Sequence, residues 1–359
     1  MRILQICSAR EIGGGERHFA DLVNTLAQRG HHVVAALRPN SPVRPMLSSL
    51  STENIVEVPM RNALNLATAI KLSRFVRTHD IEIVHAHVAR DYPLAALATG
   101  RSNARLVLTR HVLFPLNRIH KLTLRRTSRV IAVSQAVAES LYSQDVFDRR
   151  KVVTIHNGID FAKFENVDVR RDHQRLRVGT AGHLAPIKGH EDVVRAAALI
   201  IQKHPNIEFV IAGEDKSPSR ENRIELEKLI QELRLDRNVS LVGWVDDMPA
   251  FLRTLDLFVS AAQVEPFGLA IVEGMAAGVP VLATASEGAR EIIDDQKSGR
   301  LVPVGDIASL ASAIDALLND ESERRRLAQN AKAVARAQFS LERMVARTEE
   351  VYELTMTQQ

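Results

Sequence analysis

Residues 265–284 read EPFGLAIVEGMAAGVPVLAT, a run of small and apolar residues that carries Glu265 and Glu273 eight positions apart. A carboxylate drawn out of water needs a partner, from the chain or from a ligand. Pro266 and Gly268 suit a turn out of the strand-like run DLFVSAA (256–262) into a helix, which places Glu273 in that helix's second turn. Carboxylates accept hydrogen bonds from hydroxyls, and the amides of a helix start, here near 268–270, bind phosphate oxygens. A ligand rich in hydroxyls with phosphates in its middle, a sugar nucleotide, fits such a site. Two carboxylates on an exposed helix face remain the plainer alternative.

Other residues have chemistry of the same kind. GHLAPIKGH (182–190) sets Lys188 and Gly189 just before a helix, where an ammonium beside amides suits a phosphate, although a solvated lysine is the commoner case. EIGGGERHF (11–19) leads through Gly13, Gly14 and Gly15 into a helix. It lacks the G-x-G-x-x-G spacing of a dinucleotide site, and a tight turn without ligand explains it equally well. His85 and His87 alternate in IVHAH, so both point to one strand face. They suggest a metal pair, but no third ligand at sensible spacing accompanies them, and no metal site is expected. RIHKLTLRRTSR (118–129) carries Arg118, Lys121, Arg125, Arg126 and Arg129 among Ile119, Leu122 and Leu124. As a helix it would be a basic amphipathic element able to lie on anionic headgroups, with a solvated face as the alternative.

The elements that must hold these residues form two series. RILQIC (2–7), HVVAAL (32–37), IEIVHAH (81–87), RLVLTR (105–110), RVIAVS (129–134) and VVTIHN (152–157) read as strands, with amphipathic helical segments such as 16–30 between them. After the polar stretch 164–174 the pattern restarts with LRVGTAG (176–182), IEFVIAG (207–213), VSLVGW (239–244), DLFVSAA (256–262) and PVLATA (280–285). Continuous apolar strands alternating with helices predict parallel sheets covered on both faces. The expected class is therefore α/β, with two doubly wound Rossmann-like domains facing across a cleft. The expected domains are 1–162 and 163–339, joined near 158–174, with a terminal helix over 340–359 packing back on the first. Such sheets bind ligands at the carboxyl ends of their strands.

At 359 residues the chain has length for two cores. A single cysteine, Cys7, excludes an internal disulfide framework and suits a reducing cytoplasm. The N-terminal apolar run is too short for a signal peptide, and no apolar stretch reaches membrane-spanning length. Net charge is +4, but residues 1–165 hold 23 basic against 13 acidic side chains, a net of +10, leaving −6 for the remainder. The first half is thus suited to an anionic partner or surface. With 4% aromatic residues and no recognised nucleic-acid motif, nucleic acid is not the expected partner.

The E-x7-E block resembles the donor site of the retaining glycosyltransferases of family 4, which have the GT-B fold. The likeness runs along nearly the whole chain. GGGERHFADLVNTLAQRGHHV is similar to that family's opening loop and helix, DIEIVHAHVA to its mid-domain strand, and HNGID (156–160) to its linker; VGWVDDMPAFL and LVPVGD (301–306) match in kind and order. The resemblance implies that Glu273 binds the nucleotide ribose, and that Glu265 with the Phe267, Gly268 and Leu269 amides holds hydroxyls of the transferred sugar. It implies that Lys188, helped by amides of Gly14 or Gly15, neutralises the diphosphate, that Trp244 and its neighbours border the base, and that His111 faces the donor sugar at the reaction centre. Glu16 and His87 fall on the acceptor side. One position departs from the pattern: the arginine usual five residues before the lysine is His183, with Arg110 and Arg290 as candidate substitutes.

The implied reaction moves a hexose-type sugar from a UDP- or GDP-linked donor to an acceptor hydroxyl with retention, without cofactor or metal, and with closure about Asn157–Asp160 excluding water. The implied acceptor is a glycan or glycolipid of the bacterial envelope, such as a lipopolysaccharide intermediate, and the implied location is the cytoplasm or the inner membrane face. A sugar-nucleotide epimerase and a silent sugar-nucleotide-binding relative are the rival readings.

Overall fold

A computed structural model of the chain describes residues 1–60, 65–116, 120–165 and 175–357. It divides into two compact units, Met1–Gly158 with Leu341–Gln359, and Ile159–Ser340.

The first unit holds seven parallel strands: β1 (Arg2–Cys7), β2 (His32–Leu37), β3 (Ile55–Glu57), β4 (Ile83–Ala86), β5 (Arg105–Arg110), β6 (Arg129–Ala132) and β7 (Val152–Thr154). Their order is β3-β2-β1-β4-β5-β6-β7, so the winding reverses between β1 and β4. Ile3 and Ile6 of β1 are fully buried, as are Ile83 and Val84 of β4, which accounts for the near-continuous apolar runs in the sequence. The short strand Ile55–Glu57 has no periodicity to betray it before its pairing with β2 is seen.

The last helix, Leu341–Thr357, belongs to this unit. Leu341, Met344, Val345, Thr348, Val351, Tyr352 and Thr355 are its buried residues, a stripe at helical spacing. Met344, Val345 and Tyr352 join the same core as Phe19, Leu22 and Ile83.

The second unit holds six parallel strands: β8 (Arg177–Ala181), β9 (Glu208–Ala212), β10 (Val239–Gly243), β11 (Leu257–Ser260), β12 (Val281–Thr284) and β13 (Arg300–Val302). Their order is β10-β9-β8-β11-β12-β13, with the reversal between β8 and β11. Its core gathers Val194, Ile211, Leu257, Val259, Leu282 and Ile314.

One expected element is not formed. Among its described residues the basic stretch 118–129 is no continuous amphipathic helix: His120–Thr123 alone is helical, and Arg129 already opens β6. Arg118 and Ile119 lie outside the described residues. The sheet outweighs the helix here, because the Ser128 amide donates to Leu106 O and draws the chain into register with β5. Lys121 pairs with Asp145 at 2.5 Å, and Arg126 donates to Gly100 O. Among the described residues no helix is long and apolar enough to cross a membrane.

Met344 is 2% exposed, so Met344→Ala is expected to lower the unfolding free energy by about 2–5 kcal/mol in urea titration. An unchanged midpoint would mean that the terminal helix does not complete the first core.

Candidate active site

In the second unit the loops after β8 and β11 meet. The loop after β8 runs through Gly182 and His183 into a single turn, Pro186–Lys188, and then the helix His190–Ile201. Gly189, with φ at +65°, lies so close to the β11 loop that a Cβ there would stand 2.0 Å from Ala261 O. Only glycine permits that approach. Gln263 N then donates to Ile187 O at 2.9 Å. From the other side, Gly288 N donates to Glu265 O at 2.9 Å, and a Cβ on Gly288 would fall 2.1 Å from Phe267 O. The Thr284 hydroxyl donates to Ala262 O at 2.6 Å. The segment 261–268 is thus clamped by the elements that follow both neighbouring strands.

This clamp joins Lys188 Nζ to Glu265 Oε2 at 2.7 Å, with both side chains largely shielded from solvent. Gly268, with φ at +113°, precedes the helix Leu269–Ala276, and Glu273 lies in its second turn, 8% exposed. Phe267 is buried and meets Phe339 edge to face, ring centres 5.7 Å apart. Leu269 is the first residue of the helix, where backbone N–H groups have no intrahelical acceptor. Lys188, Glu265, Phe267, Gly268, Leu269 and Glu273 therefore share the carboxyl end of β8 and β11, at the winding reversal where open α/β sheets bind ligands.

Trp244 stands farther along this edge, just after β10. Its indole N–H donates to Asp246 at 2.8 Å, and the Lys216 ammonium lies 5.4 Å from its ring centre. His183 is in the loop after β8, and its carbonyl accepts from His190 Nε2 at 3.1 Å. Of the two arginines named as substitutes, Arg290 is exposed on the helix Glu287–Ile292 and donates to Ala285 O. Arg110 ends β5 in the first unit, where it is buried and donates to Phe114 O.

The first unit collects histidines at the same kind of place. The helix Gly14–Gln28 follows β1 and begins at the glycine run; Glu16 accepts from Gly13 N at 2.9 Å and so caps its start. Gly14 and Gly15 form its first turn, and a Cβ on Gly15 would stand 3.3 Å from His111 Cγ. His18 from this helix, His87 just past β4 and His111 just past β5 come together. The His18 and His111 rings are 4.8 Å apart edge to face, and those of His18 and His87 are 5.8 Å apart.

His85 does not pair with His87 as a second ligand, because both its nitrogens are engaged. Nδ1 meets the Tyr352 hydroxyl at 2.6 Å and Nε2 the Thr109 hydroxyl at 2.7 Å. Gln5 donates to the same Tyr352 oxygen at 3.1 Å and turns its carbonyl to His87 Nε2 at 2.8 Å. His87 must then carry its proton on Nε2 and leave Nδ1 as a bare acceptor. His18, Gln5 and Tyr352 were not among the residues expected at a site. Sequence offers little signal for them, since each lies on the apolar stripe of its element.

Burial holds all four imidazoles neutral. His18 is brought down to about 4, with the Asn157 side chain opposing the shift. His85, His87 and His111 are also held well below the ordinary imidazole range, by burial first and then by one another.

Comparison with known proteins agrees with the two-sheet α/β fold. Residues 12–163 match the family model Glycosyltransferase Family 4, and residues 163–334 match Glycosyl transferases group 1. The chain is 28% identical over 339 residues to the lipopolysaccharide core biosynthesis glycosyltransferase LpsE of Rhizobium meliloti, covering 92% of this chain and 93% of that one. It is 25% identical over 368 residues to N-acetyl-alpha-D-glucosaminyl L-malate synthase of Bacillus anthracis, covering 95% and 94%. Among solved structures, Anabaena HepE in complex with UDP matches with a TM-score of 0.87 at 22% identity, over 99% of this chain and 100% of that one. The same protein has been solved with UDP-glucose.

A histidine held neutral by the fold binds protons more readily once unfolded, so its stabilisation falls away as pH drops below the ordinary imidazole value. For His18 the loss between pH 8 and pH 5 is about 2 kcal/mol. Asp91, buried and raised to about 6, acts in the opposite sense, so the test is a difference. Unfolding free energy of His18→Gln should depend less steeply on pH than that of the unchanged chain; equal slopes in urea titrations would contradict the buried, neutral His18.

Proposed function

The chain belongs to the family 4 glycosyltransferases of GT-B fold, and on that premise we propose that it transfers a hexose-type sugar from a nucleoside-diphosphate sugar to an acceptor hydroxyl, retaining the anomeric configuration. The observation that carries this reading is the shielded Lys188–Glu265 pair, set beside a helix start and the buried Glu273. Cleavage of the sugar–oxygen bond leaves its electron pair on the departing diphosphate, adding one negative charge to the two it already carries. An ammonium and helix amides fixed in advance stabilise that charge as it develops, with no metal ion required for the step. Lys188 therefore serves the diphosphate. Glu265, freed from sole pairing with Lys188 when phosphate arrives, accepts hydrogen bonds from sugar hydroxyls. Glu273 takes the ribose, and Trp244 with its neighbours borders the base.

Glu265 is a positioning group in this scheme. A covalent double displacement of the glycosidase kind needs a second carboxylate about 5–5.5 Å from the first, across the bond, whereas the contact Glu265 makes here is with the lysine. The usual arginine being His183, the diphosphate relies more heavily on Lys188, because a neutral imidazole is the weaker phosphate ligand. The donor is UDP- or GDP-linked; the UDP and UDP-glucose bound by HepE favour the uridine form.

We assign Glu16 and His87 of the first unit to the acceptor, His111 to the donor sugar at the reaction centre, and the amides of Gly14 and Gly15 to the diphosphate. The first unit's excess of basic residues suits an anionic glycan or lipid-linked acceptor. Relatives named for lipopolysaccharide core biosynthesis point to envelope polysaccharide or glycolipid assembly, at the cytoplasmic membrane face.

Lys188→Ala is expected to lower kcat about 10²–10³-fold toward a UDP- or GDP-sugar with a lipopolysaccharide-type acceptor. Glu273→Gln is expected to raise the donor KM at least about tenfold, the loss of roughly one charged hydrogen bond. Wild-type kinetics in both variants would overturn the assignment.

A further inference from the structure

Five ring nitrogens of the first unit's histidine cluster are buried without a hydrogen-bond partner: both of His18, both of His111, and Nδ1 of His87. Buried polar atoms are rarely left so, and a group of them facing one another calls for an occupant. One ligating nitrogen from each of the three rings lies within 4.8 Å of the others. We infer that His18, His87 and His111 form a three-histidine site that captures a divalent transition-metal ion such as zinc.

Ligand type and protonation both fit. Imidazole suits zinc, cobalt, nickel and copper, whereas magnesium and calcium seek oxygen. A neutral ring offers one lone pair, so three neutral rings offer three ligands, and water or another oxygen completes a four-coordinate ion. The Asn157 side chain is buried beside His18 and is a protein group able to meet that water.

His87 is the best-prepared ligand. Its Nε2–H is spent on Gln5, which is in turn fixed by Tyr352, so ring orientation and tautomer are both set with Nδ1 aimed into the cluster. An outer hydrogen bond of this kind is what metal-binding histidines usually have. Nitrogens at about 2.0–2.1 Å from a tetrahedral zinc stand about 3.4 Å apart. The cluster is therefore open by something over an ångström at its widest, and His111, the least buried of the three residues, is the one that must move inward. A side chain at position 15 would press on this ring, since a Cβ there would stand 3.3 Å from His111 Cγ. The nearby Arg110 charge opposes a cation, which favours zinc-like ions that bind by covalent character over harder ones.

Such an ion is not the metal-free diphosphate chemistry proposed above. It occupies the first unit's own histidines, and it would withdraw His87 from the acceptor and His111 from the donor sugar. The ion is therefore an inhibitor of transfer. That consequence rests on the functional reading, whereas the binding does not.

The test is direct titration of full-length, chelator-stripped protein with Co²⁺, followed by its visible absorption, and then displacement by Zn²⁺. One Co²⁺ per chain with the intense spectrum of a four-coordinate ion, displaced by one Zn²⁺, is expected. His18→Asn and His111→Asn should each weaken binding at least about tenfold, and Gln5→Leu about 10–100-fold. His204→Asn, in the second unit beside Asp315, should leave it unchanged. Thermal unfolding identifies any variant that has lost its fold, and the partly exposed His111 keeps the test usable if the buried variants fail. No stoichiometric Co²⁺ binding by the unchanged chain, or binding undiminished in folded His111→Asn, would overturn the site.

Discussion

The contact between Gly189 and the carbonyl of Ala261 is the constraint on which the second unit's chemistry depends. Two loops leave adjacent strands, and any side chain at 189 would hold them apart. Because they touch, an ammonium and a carboxylate that are 77 residues apart in sequence meet at 2.7 Å with little solvent between them. An exposed pair of this kind contributes little to stability. Shielded at a strand edge, it is worth more as a prearranged charge than as a stabilising one, because water need not reorganise around it when a charged ligand arrives.

The first unit solves a related problem with neutral groups. Thr109, His85, Tyr352, Gln5 and His87 form a chain of hydrogen bonds from the middle of the sheet to its carboxyl edge. Each member is buried, and the Gln5 carbonyl sets the tautomer of His87. The terminal helix therefore has a part in orienting His87, through one hydroxyl contributed by a residue 265 positions later in the chain. That long reach gives a physical reason for the last helix to belong to the first unit.

Much of this was legible in the residues. The apolar runs located nearly every strand, because parallel strands buried on both faces leave a continuous signature. The three-residue strands Ile55–Glu57 and Arg300–Val302 escaped, being too short to show a period. The E-x7-E block and Lys188 stood out as charges in apolar or glycine-rich surroundings. Their direct pairing did not, because it depends on how two loops pack. The basic stretch 118–129 read as a helix from charge and apolar spacing alone. Strand pairing at Ser128 and Arg129 decided otherwise, a tertiary preference that local pattern does not record. His18 and Tyr352 are core residues that no motif singles out. Their polar atoms become informative only once the topology brings β1, β4 and β5 side by side.

The claim at the centre of this account is that the carboxyl edge of β8 and β11 holds a sugar nucleotide. A crystal structure of the chain with an unhydrolysed UDP- or GDP-sugar tests it most directly. The account predicts density with the diphosphate on Lys188 and the helix start at Leu269, the ribose on Glu273 and the sugar hydroxyls on Glu265. A nucleotide bound elsewhere, with the Lys188–Glu265 pair untouched, would contradict it.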